Sequence, residues 1–281
     1  MSYKEVLRNI KVSMSLNERG LNHFNQHNRP PQPYSPIRML TADWSLDSLD
    51  RQQRLKNMFT RVRGTRYPIK LLRYWFMCQL LVAEAERLDR PLRVCEIGVD
   101  QGQMRLFARD AGFVQVECWD AVDVKPRPEL NAVGYDSIIT LNAEDKEFRL
   151  ERRYDVVIAL HLLEHLHEPE AALGRFSGVL AEGGLVIGGY PVTLQAFEKW
   201  RESHLRRNAR PFHHVSVFSP ARTVAMATIN GLSIEFLSGA FLMRRTGWFL
   251  ENFRWWARFN LFFGATFPSL GGELYWSMRK N

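Results

Sequence analysis

Val94-Cys95-Glu96-Ile97-Gly98-Val99-Asp100-Gln101-Gly102-Gln103 reads as the end of a strand, a tight turn and the start of a helix. A β-prone apolar run breaks at two glycines four residues apart. A helical pattern through Met104, Leu106, Phe107 and Ala111 follows, until Gly112 ends it. Gly98 lets the chain reverse without a Cβ clash, and Gly102 lets a ligand or the sheet approach the helix start closely. Glu96, at the strand's end, is placed to project a carboxylate into the crevice above the sheet. A dinucleotide site needs G-x-G-x-x-G. Asp100 stands where the second glycine should be, and a carboxylate beside a pyrophosphate repels it, which disfavours NAD and FAD. No G-x-x-x-x-G-K-[ST] run occurs, and Gly183, Gly184, Gly188 and Gly189 have no lysine placed for a phosphate. These acids suit a cationic or zwitterionic nucleoside without phosphates.

Outward from the turn, strands and helices alternate. Pro68 opens a helix whose apolar positions are Ile69, Leu72, Trp75, Phe76, Leu80 and Ala83, just before the first strand at 92–97. A second strand is expected over 114–120, with Asp120 at its end and Asp123 close behind. They lie about 20 residues beyond the glycine turn, where an acid accepts hydrogen bonds from ribose hydroxyls. A third strand over 137–141 ends in Asn142-Ala143, and 154–160 is nearly all apolar, as a buried parallel strand should be. A helix from Pro169 leads through Glu182-Gly183-Gly184 to a fifth strand at 185–190, and 232–237 and 273–278 close the sheet. The alternation predicts an α/β, doubly wound, mostly parallel, seven-stranded Rossmann-like sheet with its functional residues on one rim.

Glu96-Ile97-Gly98-Val99-Asp100-Gln101-Gly102 resembles the first motif, (D/E)-x-G-x-G-x-G, of class I S-adenosylmethionine-dependent methyltransferases, with Asp100 in place of the middle glycine. Tyr154-Asp155-Val156-Val157, Leu163-Glu164-His165-Leu166 and Val179-Leu180-Ala181-Glu182-Gly183-Gly184 are similar, in the same order, to segments of the ubiquinone-biosynthesis-like, type 11 group. The resemblance implies S-adenosylmethionine as cofactor, held by Glu96, Gly98, Asp100, Gly102, Asp120, Asn142, Ala143 and Leu160. Asn142 replaces an Asp that contacts the adenine amino group in this family, and an amide can still bond that edge. The Asn/Asp-Pro-Pro-Tyr/Phe segment of enzymes that methylate planar nitrogens is absent after the fourth strand. His213-His214 followed by Phe218-Ser219 resembles a family segment over the acceptor site. His165 and His214, then His161, are the candidate catalytic bases.

His161-Leu162-Leu163-Glu164-His165 also fits H-x-x-E-H, an inverted zincin pattern with two zinc-binding histidines and a glutamate base. That reading needs a long helix and a third ligand. Here the motif follows a buried strand and precedes a proline, so no metal site is assigned.

The 281 residues allow one domain plus extensions, and 46% hydrophobic with 24% charged residues is a soluble, globular composition. A net charge of +8 points to an anionic partner or a solvated basic face. Residues 1–66 form a basic extension before a catalytic domain at 67–281, with substrate-side insertions near 191–220 and 240–270. Eight basic and no acidic residues fall between Arg51 and Arg73. Cys78, Cys95 and Cys118 have no C-x-x-C spacing and suit buried thiols in a reduced compartment. No apolar run reaches the roughly 18 residues of a membrane span, so a cytoplasmic protein is expected. In 247–263, Glu251, Arg254 and Arg258 form one narrow polar stripe beside a broad aromatic surface. A lid over the substrate, a homodimer face and an interfacial helix at the inner face of a membrane are the three explanations.

The leading expectation is O-methylation of a glycan or lipid-linked intermediate. The rivals are methylation of a quinone-like aromatic or other small molecule, and a non-catalytic binding subunit that keeps the fold. Nucleic acid is a weaker partner, because no RNA-binding appendage accompanies the basic stretches.

Overall fold

The computed structural model describes residues 45–208, 210, 213–242 and 246–281. Two short helices, α1 (Asp47–Asp50) and α2 (Gln53–Met58), precede α3 (Leu72–Leu88), β1 (Leu92–Ile97) and α4 (Gln103–Asp110). The chain continues through β2 (Val116–Asp123), β3 (Ser137–Thr140), β4 (Tyr154–Leu160), α5 (Pro169–Gly178) and β5 (Leu180–Pro191). It ends with α6 (Glu198–Arg207), α7 (Pro220–Ile229), β6 (Leu232–Ala240), α8 (Arg254–Thr266) and β7 (Glu273–Lys280). The strands form one sheet in the order β3-β2-β1-β4-β5-β7-β6, parallel through β5, with β7 antiparallel to both its neighbours. The direction of winding reverses between β1 and β4, which puts the crevice of a doubly wound sheet over their carboxyl ends.

Side-chain alternation along the strands builds two cores. Leu92, Val94, Val156, Ile158 and Tyr275 pack under α3, α4 and α8, whereas Cys95, Ile97, Val157, Tyr190 and Trp276 face α5 and α7. Gly188 and Gly189 lie inside β5, where Cβ atoms would collide with Trp276 and Tyr275, so these glycines serve packing in the sheet. Leu46, Leu49 and Leu55 are fully buried in the core under α3, so part of the expected extension packs into the same interior as the sheet. Residues 1–44 of the expected extension, with its proline-rich stretch, lie outside the described residues.

The basic run is partly neutralised within the fold. Lys56 is 3% exposed and donates to the Asp50 and Arg66 carbonyls, while Arg66 and Arg73 pair with Asp50 and Glu273. The polar stripe expected through 247–263 is not a helical stripe. α8 starts only at Arg254, and Glu251 lies in the preceding 3-10 turn, fully buried, accepting from the Gly247 amide. Cys78, Cys95 and Cys118 form no disulfide among the described residues.

Candidate active site

β1 ends at Ile97, and Gly98 turns at φ 77° with its amide on the Val122 carbonyl. Asp100 follows at φ 46° and Gly102 at φ 71°. The left-handed backbone explains why a glycine or a short acid can stand at 100, since Asp tolerates this region better than most residues. Arg127 closes an ion pair of 2.8 Å on the Asp100 carboxylate, so the departure from a glycine brings its own counter-charge. Both glycines are met by this chain's own side chains. A Cβ at 98 would lie 2.9 Å from Leu162 Cδ1, and one at 102 would lie 2.9 Å from Val133 and 3.2 Å from Tyr135.

Two of the acids expected to serve the crevice are buried and engaged by neighbouring side chains. Glu96 shares its face of β1 with Leu92 and Val94, so it turns under the α4 layer. There it is 5% exposed and accepts from Tyr135 Oη at 2.9 Å and Trp119 Nε1 at 3.2 Å. Burial pushes its pKa up to about 7 against the pull of those two donors. Asp120, expected at the end of β2, lies inside it opposite Cys95 and is 1% exposed. It accepts from Tyr154 Oη at 2.8 Å and Arg152 at 3.1 Å. The strand runs three residues further than its acidic break suggests, because Ala121 and Val122 keep their ladder to β1. Asp123 is the acid at the rim: its Oδ2 lies 3.4 Å from the Asp100 amide, and its Oδ1 accepts from the Lys125 amide. Asn142 is exposed just beyond β3, with its oxygen turned back to the Glu144 amide. Ala143 is buried beside it, and Leu160 closes β4 opposite Gly189.

On the other side of the switch point, β4 breaks at His161, whose φ is 54°. The H-x-x-E-H segment is not an α-helix, since Leu163–His165 form only a 3-10 turn. His161 Nδ1 lies 2.8 Å from Glu164 Oε1 and Nε2 lies 3.3 Å from Glu273 Oε2. Glu273 is also paired with Arg73 at 2.5 Å and accepts from Tyr275 Oη. Burial and Arg73 work to lower the His161 pKa, yet the two carboxylates outweigh them and hold it above its ordinary value. Glu273 is held well below the usual carboxylate range: burial opposes this, and Arg73 and His161 prevail. His161 thus bridges the two carboxylates, with both ring nitrogens engaged. Arg73, Glu273 and Tyr275 escaped the sequence reading, because the partners of this chain of charges lie up to 200 positions apart.

The other two histidines meet. The Val215 and Ser216 amides donate to the Glu164 carbonyl at 2.8 and 3.0 Å, and Ser216 Oγ donates to the Leu166 carbonyl at 2.7 Å. These bonds lay the segment before α7 across the turn after β4. His214 then packs edge-on against His165, with ring centroids 4.7 Å apart.

A methyltransferase domain profile matches residues 71–235, more than half of the chain. The chain belongs to this methyltransferase family. Membership makes it an S-adenosylmethionine-dependent enzyme. The methyltransferase's fold is shared with plantazolicin methyltransferase BamL, solved with a triazolic desmethylPZN analog and S-adenosylhomocysteine. The two are 12% identical with a TM-score of 0.51, over 85% of this chain and 97% of that one. A protein from Galdieria sulphuraria, provisionally named a sarcosine dimethylglycine methyltransferase, is 12% identical with a TM-score of 0.51, over 73% and 85% of the two chains. N-methyltransferase NodS from Bradyrhizobium japonicum WM9 is 13% identical with a TM-score of 0.47, over 82% and 99%. No curated protein matches the methyltransferase in sequence.

Proposed function

We propose that this methyltransferase transfers the methyl group of S-adenosylmethionine to a hydroxyl oxygen of a glycan or lipid-linked intermediate presented at a membrane surface. One observation carries the acceptor class. The connection between β6 and β7 leaves the catalytic rim at Ala240, returns to it at Glu273, and turns an aromatic face outward. Trp255, Phe259 and Phe262 recur at helical spacing along α8 and are 56%, 40% and 53% exposed, with Phe249 and Phe253 exposed before them. Aromatic rings on one face of a basic protein suit the headgroup boundary of an anionic bilayer. No helix among the described residues is long and apolar enough to cross a membrane, so the contact is peripheral.

In this reading Asp123 accepts from the ribose hydroxyls, Asn142 and Ala143 meet the adenine edge, and the turn from Gly98 to Gly102 carries the methionine portion. Leu160 lines the crevice from β4. The acceptor oxygen attacks the methyl carbon in line, the carbon–sulfur bond breaks, and its electron pair returns to sulfur as the neutral thioether of S-adenosylhomocysteine. Alignment supplies the larger share of the rate, with effective molarities on the order of 10⁵ to 10⁸ M. His165 or His214 takes the hydroxyl proton, which adds roughly 10² to 10⁴.

The test is incubation with donor labelled in the methyl group and with fractionated lipid, polysaccharide and small-aromatic extracts. Base-stable label in a lipid-linked or glycan fraction is expected. Trp255→Ser with Phe262→Ser should reduce labelling of acceptor in anionic vesicles severalfold without loss of folding. Label confined to the small-aromatic fraction returns the acceptor to the quinone-like class.

A further inference from the structure

We infer that Glu164, His165 and His214 form a binding site for one divalent transition-metal cation. One ligand atom from each lies within 4.8 Å of the other two. Metal bonds of about 2.0–2.2 Å bring such atoms about 3–3.5 Å apart, a contraction within reach of small side-chain rotations.

Two unsatisfied atoms point to a ligand here. Glu164 is 1% exposed and uses Oε1 for His161, which leaves the buried Oε2 with no hydrogen-bond partner. His165 Nδ1 is buried and likewise without a partner. A buried acceptor left unsatisfied is costly, more so when charged, so the arrangement is unfavourable unless something binds it. The surroundings are those of a built site. The amide bonds from Val215 and Ser216 to the Glu164 carbonyl fix the two contributing segments to each other. Behind the carboxylate, His161, Glu273 and Arg73 orient Glu164 as outer partners orient a metal ligand.

The donor set chooses the cation. Two imidazoles and one carboxylate favour Zn²⁺, Co²⁺, Fe²⁺ or Mn²⁺ over Mg²⁺ and Ca²⁺, which prefer all-oxygen shells. The roles differ from the inverted zincin pattern, because Glu164 is a ligand and His161 stands behind it. Three protein ligands leave coordination positions open. Resting on the O-methylation reading above, with His165 and His214 then serving as ligands in place of the base role, the cation takes the acceptor hydroxyl as a further ligand and lowers its pKa, so that the proton leaves to solvent water while the oxygen is held toward the donor methyl.

The experiment is calorimetric titration of the full chain, first treated with a chelator and dialysed, with Zn²⁺, Co²⁺ and Mg²⁺ separately. Wild type should bind one equivalent of Zn²⁺ and of Co²⁺, the latter with visible d–d absorption of a nitrogen and oxygen shell, while Mg²⁺ gives no heat at the same concentrations. Because Glu164→Gln breaks a buried charge cluster and endangers folding, His214→Ala, in an irregular segment, is the primary variant. It should weaken Zn²⁺ at least 30-fold, with His213→Ala, on the exposed neighbour, unchanged. Absence of stoichiometric binding, or equal affinity in His214→Ala and wild type, overturns the site. The same samples are titrated with S-adenosylmethionine. Donor binding without cation binding sinks the metal site alone, and cation binding without donor or product binding sinks the methyltransferase reading alone.

Discussion

Asp100 and His161 both hold left-handed backbone, on opposite sides of the switch point, and each is secured by charge: Asp100 by Arg127, His161 by Glu164 and Glu273. Strain of this kind, of order 1–3 kcal/mol per residue, persists where the surroundings over-determine the geometry, and it gathers at functional sites. The acids of β2 separate by role. Asp123→Asn should weaken S-adenosylmethionine binding about tenfold, the scale of one charge-assisted hydrogen bond. Asp120→Asn should leave donor affinity within twofold and instead lower the unfolding free energy, because it disturbs the buried bond from Tyr154. Calorimetry and denaturant melts on the two variants check this pair. Glu96 gives a pH prediction. Its folded pKa of about 7 lies above the ordinary 4.5, so the stability linked to its proton is complete below about pH 4.5 and is lost as pH rises through about 7. Glu96→Gln should therefore stabilise the chain above pH 7 by up to roughly 3 kcal/mol and have little effect near pH 5, measured by urea unfolding at both values. Asp120 was misplaced in the sequence reading because its charge looks like a strand end. The continued pairing of Ala121 and Val122 with β1, which decides the matter, is a long-range fact.

At the scale of elements, the strands announced themselves where both faces are buried. β1 and β4 were legible to the residue, since Leu92–Ile97 is bounded by Pro91 and Gly98 and Tyr154–Leu160 by Arg153 and His161. β5 begins five residues earlier than its apolar run, at Leu180, because Glu182 and Gly183 still lie along the strand. The aromatic segment was legible as a helix, but which of its faces packs was not. Its inner face is set by Trp256, Ala257, Asn260, Leu261 and Gly264, and Gly264 touches the backbone of Gly239 in β6. A Cβ there would strike the Gly239 carbonyl oxygen. Gly264→Ala should thus push α8 off β6 and destabilise by about 1–3 kcal/mol, whereas Gly112→Ala, at φ 86° with open space around it, should cost only the local backbone strain of about 1–2 kcal/mol. Thermal melts of both variants distinguish the two mechanisms. A larger shift with a loss of near-ultraviolet aromatic signal is expected only for Gly264→Ala.

At the scale of the molecule, the strand order comes from the structure, while a doubly wound, mostly parallel, seven-stranded sheet follows from the alternation of elements and the right-handed crossover and was legible. The convergence of Arg73, His161, Glu164, His214 and Glu273 on one rim was not, because it depends on β7 inserting antiparallel between β5 and β6 and carrying Glu273 back beside β4. There Arg73 and His161 are paired with the carboxylates of Glu164 and Glu273 inside the fold. The central claim is that the crevice between Gly98 and Asp123 takes a sulfonium nucleoside. It is tested most directly by calorimetric titration of the full chain with S-adenosylmethionine and S-adenosylhomocysteine, alongside NAD. The account predicts one equivalent of either sulfur nucleoside, weakened in Asp123→Asn, and no heat with NAD; heat with NAD, or none with either sulfur nucleoside, would contradict it.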